Sequence, residues 1–287
     1  MTAVVTGWTG VEAAELDRVV RTALEEDLRY GPDATTAATV PPGARAVAAV
    51  ATRADGVLAG MPAVAAVLSA VVGDDHAVDA LRADGDRLRC GDVVATVDAP
   101  TAGLLTAERT LLNLLCHLSG VATATAAWVD AVAGTGCRVR DSRKTLPGLR
   151  ALEKYAVRCG GGVNHRLGLG DAVLVKDNHV AAAGSVTAAV AAVRRSTLHL
   201  PLEVEVDGLE QLDEALAAGV GLVLLDNFPV ERCAEAVRRA AGTGTQLEAS
   251  GGLTLDVARA YADTGVTYLA VGALTHSAPA LDLGLDL

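Results

Sequence analysis

From Cys137 onward the chain repeats one unit. Six segments, CRVRD (137–141), AVLVKD (172–177), LEVEVD (202–207), LVLLDN (222–227), QLEAS (246–250) and YLAVG (268–272), read as short strands, each followed by a helical stretch. Consecutive β/α units imply a parallel sheet, because each helix carries the chain back to start the next strand in the same direction. The 140 residues from Cys137 to His276 fall short of the roughly 250 of a complete eight-unit barrel. The spacing therefore predicts an α/β fold built on an open six-stranded β/α barrel, with a flat doubly wound sheet as the alternative.

The region before it follows other rules. Residues 1–107 mix a helical stretch near 11–25 with strand-like AVAAVAT (46–52) and DVVATV (92–97) and with turns at PPG and DG, the pattern of an α+β domain. A mostly apolar helical segment, 108–133, interrupted by Gly120, is placed to connect the two regions. The uncharged run Gly56–Gly73 reaches membrane length, but Gly60 and Pro62 break it, so it reads as a strand, a turn and a buried helix start. The N-terminus has no basic stretch before an apolar one, and five cysteines without a C-x-x-C pair read as reduced thiols; the expected location is cytoplasmic.

Charge narrows the ligand. The chain carries a net −11 and is 2% aromatic, which disfavours a broad basic, stacking surface for nucleic acid. Yet residues 138–176 hold nine Arg or Lys against three acids, a local excess of six positive charges. A cationic pocket in an acidic shell suits a small, multiply anionic ligand. Within this segment Arg150, Lys154 and Arg158, spaced helically around Glu153, are expected to form an exposed helix face.

In parallel β/α folds the reacting groups stand at the carboxyl ends of the strands. Those ends carry Asp141, Arg143 and Lys144; Lys176, Asp177 and Asn178; Glu205 and Asp207; Asp226 and Asn227; Ser250, Gly251 and Gly252; and Gly272 and His276. Glu205 and Asp226 are candidates for a divalent metal such as Mg²⁺, which is held by one or two carboxylates with substrate phosphates; the bland readings are a helix cap for Asp226 and an ion pair with a lysine for Glu205. SGG (250–252) and VGAL (271–274) are candidate phosphate cradles, and the Gly-rich loop 160–171 brings His165 and Arg166 close to a ligand. Together these point to a phosphorylated sugar and a second anion.

The residues that carry this chemistry also resemble a known family. DSRKTLPGLRALEKYAVRCGGGVNHRLGLGDAVLVKDNH (141–179) is similar to the core signature of the quinolinate phosphoribosyltransferases, the NadC family, and further matches such as ERTLLNLLCHLSGVAT, LEVEVDGLEQLDEAL, LVLLDNF and EASGGLT follow in the same order. Leu146, where a second threonine is expected, and Gly221, where an acid is common, are small departures. The resemblance implies an N-terminal α/β sandwich domain (1–113), a barrel domain (114–276) and a tail (277–287) that packs on the first. It implies a homodimer or an assembly of dimers, and a decarboxylating pentosyl transfer in NAD biosynthesis: quinolinate and phosphoribosyl pyrophosphate, with Mg²⁺, give nicotinate mononucleotide, pyrophosphate and CO₂. It further implies that Arg109 of the partner chain, Arg143, His165, Arg166 and Lys176 hold the quinolinate carboxylates, and that Ser142 is substrate-binding. Lys144 would lie between the substrates, Glu205 and Asp226 would hold ribose and metal, and Ser250, Gly251, Gly252, Gly272, Ala273 and His276 would line phosphate positions. No nucleic acid or membrane partner is expected.

Two rivals differ in testable ways. A paralogue resembling the ModD proteins would lack the carboxylate-binding arginines, and Arg109, Arg143 and Arg166 are present. A catalytically silent anion-binding subunit would have no use for the Glu205 and Asp226 pair.

Overall fold

The computed structural model describes residues 10–196 and 199–287; the N-terminal reading against a leader falls largely on residues 1–9, outside them. The chain divides into two compact units, one formed by residues 1–126, 145–161 and 273–287 and the other by 127–144 and 162–272.

The first unit opens with α1 (Gly10–Asp27), α2 (Ala34–Thr39), β1 (Arg45–Thr52), β2 (Gly56–Val57), α3 (Met61–Val72), β3 (Ala77–Ala80), β4 (Arg87–Leu88) and β5 (Val93–Pro100). The predicted strand, turn and buried helix of Gly56–Gly73 are β2 and α3, with Val64, Val67 and Leu68 in the core. In β1 the alternating faces of the strand bury Ala48, Val50 and Thr52 on one side. The helix expected from residue 108 is α4 (Thr101–Ala131), one turn after another from the end of β5; nothing in TAGLLTA breaks a helix, and Pro100 sits where its missing N–H costs least. Arg109 is therefore two turns inside α4, and exposed. Long and apolar enough to cross a membrane, α4 is nonetheless mostly buried inside the protein, as a core helix is.

The second unit holds β6 (Arg138–Arg140). The chain then forms α5 (Arg150–Cys159), which belongs to the first unit and packs on α1. The barrel elements follow in alternation: β7 (Val173–Val175), α6 (Asp177–Ala183), α7 (Val186–Arg195), β8 (Leu202–Val206), α8 (Leu209–Ala217), β9 (Leu222–Asp226), α9 (Val230–Ala240), β10 (Gln246–Ser250), α10 (Ala258–Ala262) and β11 (Tyr268–Ala270). All six strands pair in parallel in the order β6-β11-β10-β9-β8-β7. That is a barrel's cyclic order with the seam between the first two strands left unpaired, whereas a doubly wound sheet reverses direction at its first strand. Val163 partly fills the seam through a parallel bridge to Arg140.

Residues two apart share a face of a strand. Val204, Val206, Val223, Leu225, Leu247, Ala249 and Leu269 are buried beneath the helices, while the alternate positions, Arg138, Arg140, Glu203, Glu205, Glu248 and Asp226 among them, line the barrel's inner face.

The chain returns to the first unit as α11 (Ala273–His276) and β12 (Leu283–Asp286), whose sheet order is β12-β1-β5-β3. One expectation about this unit is corrected. Glu153 and Lys154 of α5 are fully buried rather than exposed, with the Glu153 carboxylate 2.9 Å from His117 Nε2 and accepting the Leu146 N–H at 3.1 Å, and Arg158 pairs with buried Glu12. The polar face of α5 meets other polar groups of the same unit, which helical spacing cannot reveal.

Gly120 marks where the returning tail crosses α4. A Cβ there would fall on the Pro279 carbonyl oxygen and close to Ala280 Cα, while Leu281 N–H donates to Cys116 O at 2.9 Å. Gly120→Ala is expected to cost about 1–3 kcal/mol by overpacking and to lower the melting temperature by several degrees, measured by thermal unfolding followed by circular dichroism.

Candidate active site

Six strand ends and the loop before β7 converge on one cavity of about 380 Å³ at the carboxyl end of the barrel. Its wall includes Ser142, Arg143 and Lys144 after β6, His165 and Arg166 from the Gly-rich loop, Lys176 after β7, Glu205 in β8, Asp226 in β9 and Ser250 in β10. Nine of the residues singled out from the sequence therefore share one space. Gly272 stands beside it, since a Cβ there would press on Lys144 and approach Ser142 Oγ. Gly251 and Gly252 follow Ser250 with φ of +100° and +58°. Arg109, Ala273 and His276 belong to the first unit; His276 is exposed and its Nδ1 lies 2.6 Å from Ser277 Oγ.

Cations dominate this wall. Arg143 Nε is buried and has no hydrogen-bond partner among the described residues, and burial together with the Arg143 charge lowers the pKa of Arg166. A guanidinium disfavoured by burial and by a neighbouring guanidinium in one cavity marks a place where an anion is needed. Lys176 Nζ pairs with Glu205, so the ion pair weighed against a ligand role exists, but inside the cavity. Asp226 is no helix cap: the residue preceding α9 is Pro229, and the Asp226 carboxylate accepts from Asn227 Nδ2 at 2.8 Å.

Asn227 itself was read only as a polar strand end. It holds a left-handed φ of 55°, rare outside glycine, and its N–H donates to Ser250 O at 2.9 Å. A Cβ on Gly251 would fall on its side-chain oxygen. Asn227 thus locks the Asp226 loop to the Ser250–Gly252 loop, and Gly251 is required by both its φ and this close approach.

Deeper in the barrel lies a buried ionic cluster that sequence reasoning missed. Arg140 pairs with Glu248 and stacks 4.6 Å from the centroid of the Tyr268 ring. His165 Nε2 is 2.9 Å from Glu203 Oε2 and 3.7 Å from Glu248 Oε1. Burial, reinforced by the charge of Glu203, pushes Glu248 up to about 7 against the pull of Arg140. Its signal was present, because R-V-R, E-V-E and L-E-A alternate charge with apolar residues where strands buried on both faces should be continuously apolar. A second cavity, of about 640 Å³, opens at the amino ends of β8, β9 and β10, and His165 and Arg166 line it too; the cluster is the partition between the two.

The Gly-rich loop is held by carboxylates at each end. Asp141, fully buried at the end of β6, accepts His165 N–H at 2.8 Å and Asn164 Nδ2 at 2.5 Å. Asp171 accepts Leu167 N–H at 2.6 Å and Gly168 N–H at 2.8 Å.

Comparison with known proteins bears on what such a cavity does. The family model described as the quinolinate phosphoribosyl transferase N-terminal domain matches residues 33–119, and the C-terminal domain model matches residues 121–286. The chain is 59% identical over 271 residues to the nicotinate-nucleotide pyrophosphorylase [carboxylating] of Mycobacterium leprae, covering 93% of this chain and 95% of that protein. The solved structure of NadC from Streptococcus pyogenes superposes with a TM-score of 0.92 at 38% identity, over 98% of both chains. The nicotinate-nucleotide pyrophosphorylase from Francisella tularensis gives 0.92 at 35% identity, over 100% of this chain and 99% of that one.

Asp171 supplies a pH test of the loop. Burial works to raise its pKa, but the Leu167 and Gly168 amides outweigh it, so the folded value lies below 3.8. A depressed carboxylate contributes stability that is present above the unfolded pKa and lost as pH falls through the folded one. Asp171→Asn should therefore melt below the wild type at pH 7, with the gap closing as the pH falls beneath 3.8; paired melting curves across that range check it.

Proposed function

Because this chain belongs to the quinolinate phosphoribosyltransferase family, we propose how its own residues carry that family's reaction. The enzyme joins quinolinate to phosphoribosyl pyrophosphate, forming nicotinate mononucleotide, pyrophosphate and CO₂ in NAD biosynthesis. The observation that carries the assignment of roles is Arg143 Nε, buried and without a partner among the described residues, beside Arg166 in the strand-end cavity.

Quinolinate's two carboxylates answer that excess, held by Arg143, Arg166 and Lys176 in charge-assisted hydrogen bonds. Ser142 and His165 belong to the same wall. The pyridine nitrogen needs no base, as its lone pair attacks C1 of the ribose while the bond from C1 to pyrophosphate breaks. C1 gains positive charge in that passage, and Glu205 and Asp226 stabilise it where it develops. Lys144 neutralises the departing pyrophosphate. Ser250, Gly251, Gly252 and Gly272 receive the phosphates. Departure of the 2-carboxylate as CO₂ leaves its electron pair on C2, where the adjacent pyridinium charge stabilises it, and a proton then takes that pair to give nicotinate mononucleotide.

The donor set fits a magnesium ion, since two carboxylates at neighbouring strand ends face one cavity that also takes a pyrophosphate. Glu205 and Asp226 would hold it, and when bound it would supply charge neutralisation for the phosphates. The assembly is a homodimer, or a set of dimers, in which the exposed Arg109 of one chain completes its partner's site. The location is cytoplasmic, in keeping with the buried apolar helix and five free thiols.

Release of CO₂ from carboxyl-labelled quinolinate, dependent on phosphoribosyl pyrophosphate, tests the reaction itself. In that assay Arg166→Ala should raise the quinolinate requirement by about ten- to 150-fold, the loss of a charge-assisted hydrogen bond of about 1.5–3 kcal/mol. Use of nicotinate in place of quinolinate would contradict the dicarboxylate pocket.

Sharing of the site is tested by mixing. Arg109→Ala and Lys144→Ala chains, each inactive alone, should regain partial activity after subunit exchange, because some mixed dimers then contain one intact site. No recovery after exchange verified by mass spectrometry would mean self-contained sites.

A further inference from the structure

We propose that Glu203 and Glu248 are positioning residues for quinolinate, acting through His165: they hold its ring as an internal strut that orients Arg166, and His165 itself offers the substrate no ring N–H. The inference deepens the assignment of this cavity to quinolinate and rests on it, and it revises the direct ligand role expected for His165.

The ring's hydrogen bonds decide its tautomer. A backbone N–H can only donate, and the Arg166 N–H lies 2.7 Å from His165 Nδ1, so Nδ1 carries the lone pair. The ring proton is then on Nε2, 2.9 Å from Glu203 Oε2. Both nitrogens are thereby engaged within the protein, and the ring is buried.

Around it the partners are themselves held. Glu248 binds Arg140 through Oε2 and turns Oε1 toward Nε2. Among the described residues Glu203 Oε1 and Glu248 Oε1 have no hydrogen-bond partner, so the Nε2 proton lies between two incompletely satisfied carboxylates. The backbone of His165 is fixed in turn by Asp141. Because the amide bonded to Nδ1 belongs to Arg166, the ring sets where the Arg166 chain departs, and that guanidinium lines the cavity. Neither Glu203 nor the Glu248–Arg140 pair needs to touch substrate to govern its affinity.

The test reads the ring and the kinetics separately. Nitrogen NMR of histidine-labelled protein, with the His165 signal assigned by its loss in His165→Asn, should show a single protonated nitrogen, Nε2, that does not become doubly protonated when quinolinate is added. Glu203→Met should raise the quinolinate KM at least about tenfold with the phosphoribosyl pyrophosphate KM little changed, whereas Glu203→Gln, whose amide oxygen still accepts the Nε2 proton, should stay within about threefold of wild type. Glu248→Gln should fall between them. An imidazolium, a ring proton transferred to Nδ1, or equal rises in both KM values would overturn the proposal. Should Glu203→Met fail to fold, the wild-type spectrum and the Glu203→Gln kinetics still decide. Absence of CO₂ release by the wild-type enzyme would instead refute the substrate assignment and leave the tautomer result standing.

Discussion

The interior of this barrel is lined with charge, and that single constraint organises the second unit. Taking an ion out of water costs several kcal/mol unless another charge and further hydrogen bonds compensate, so Arg140, Glu203, Glu248 and His165 have to satisfy one another. Arg140 has the Glu248 carboxylate on one side and the face of Tyr268 on the other; His165 lies between the two acids. A filled β/α barrel packs layers of branched apolar side chains at this depth. Here an ionic partition separates two cavities and leaves the strand-end cavity with a rigid polar floor.

What the floor does not neutralise becomes available for binding. Burial and the neighbouring Arg143 work against the charge of Arg166, and Arg143 Nε is buried without a partner among the described residues; an anionic substrate answers both. The acids of the same wall lie elsewhere on it, Glu205 against Lys176 and Asp226 against Asn227. A dicarboxylate and a phosphoribosyl group ask for this separation: fixed cations for one, carboxylates beneath a developing positive charge for the other. The Asn227–Gly251 interlock keeps the acid and the phosphate loop in register by backbone geometry, which side-chain chemistry alone would not achieve.

Some of this was legible and some was misread. Strand ends could be located because an apolar run giving way to polar residues and glycine is a local pattern, and nine of the residues read from it line one cavity. The alternation in RVR, LEVEV and LEA is equally visible in the sequence, but only Glu205 is singled out from it; the deeper charges Arg140, Glu203 and Glu248 carry no strand-end signal. Glu153 and Lys154 were assigned to solvent because helical spacing shows that residues share a face but not what the face meets; in the folded unit it meets polar groups of its own unit, His117 and the Leu146 amide among the partners of Glu153.

The sequence by itself determined six β/α units, the chain order of the strand-end residues and, through their resemblance to a known family, the chemistry they serve. These follow from periodicities of two and 3.6 residues and from turn residues, all of which act within a few positions along the chain. Only the tertiary structure decided that Arg140 answers Glu248 across 108 residues of sequence, that Glu205 is tied to Lys176, and which nitrogen of His165 carries the proton. Those outcomes depend on which strands lie side by side and in what register. Register is set by packing summed over the whole sheet, and no local pattern encodes it.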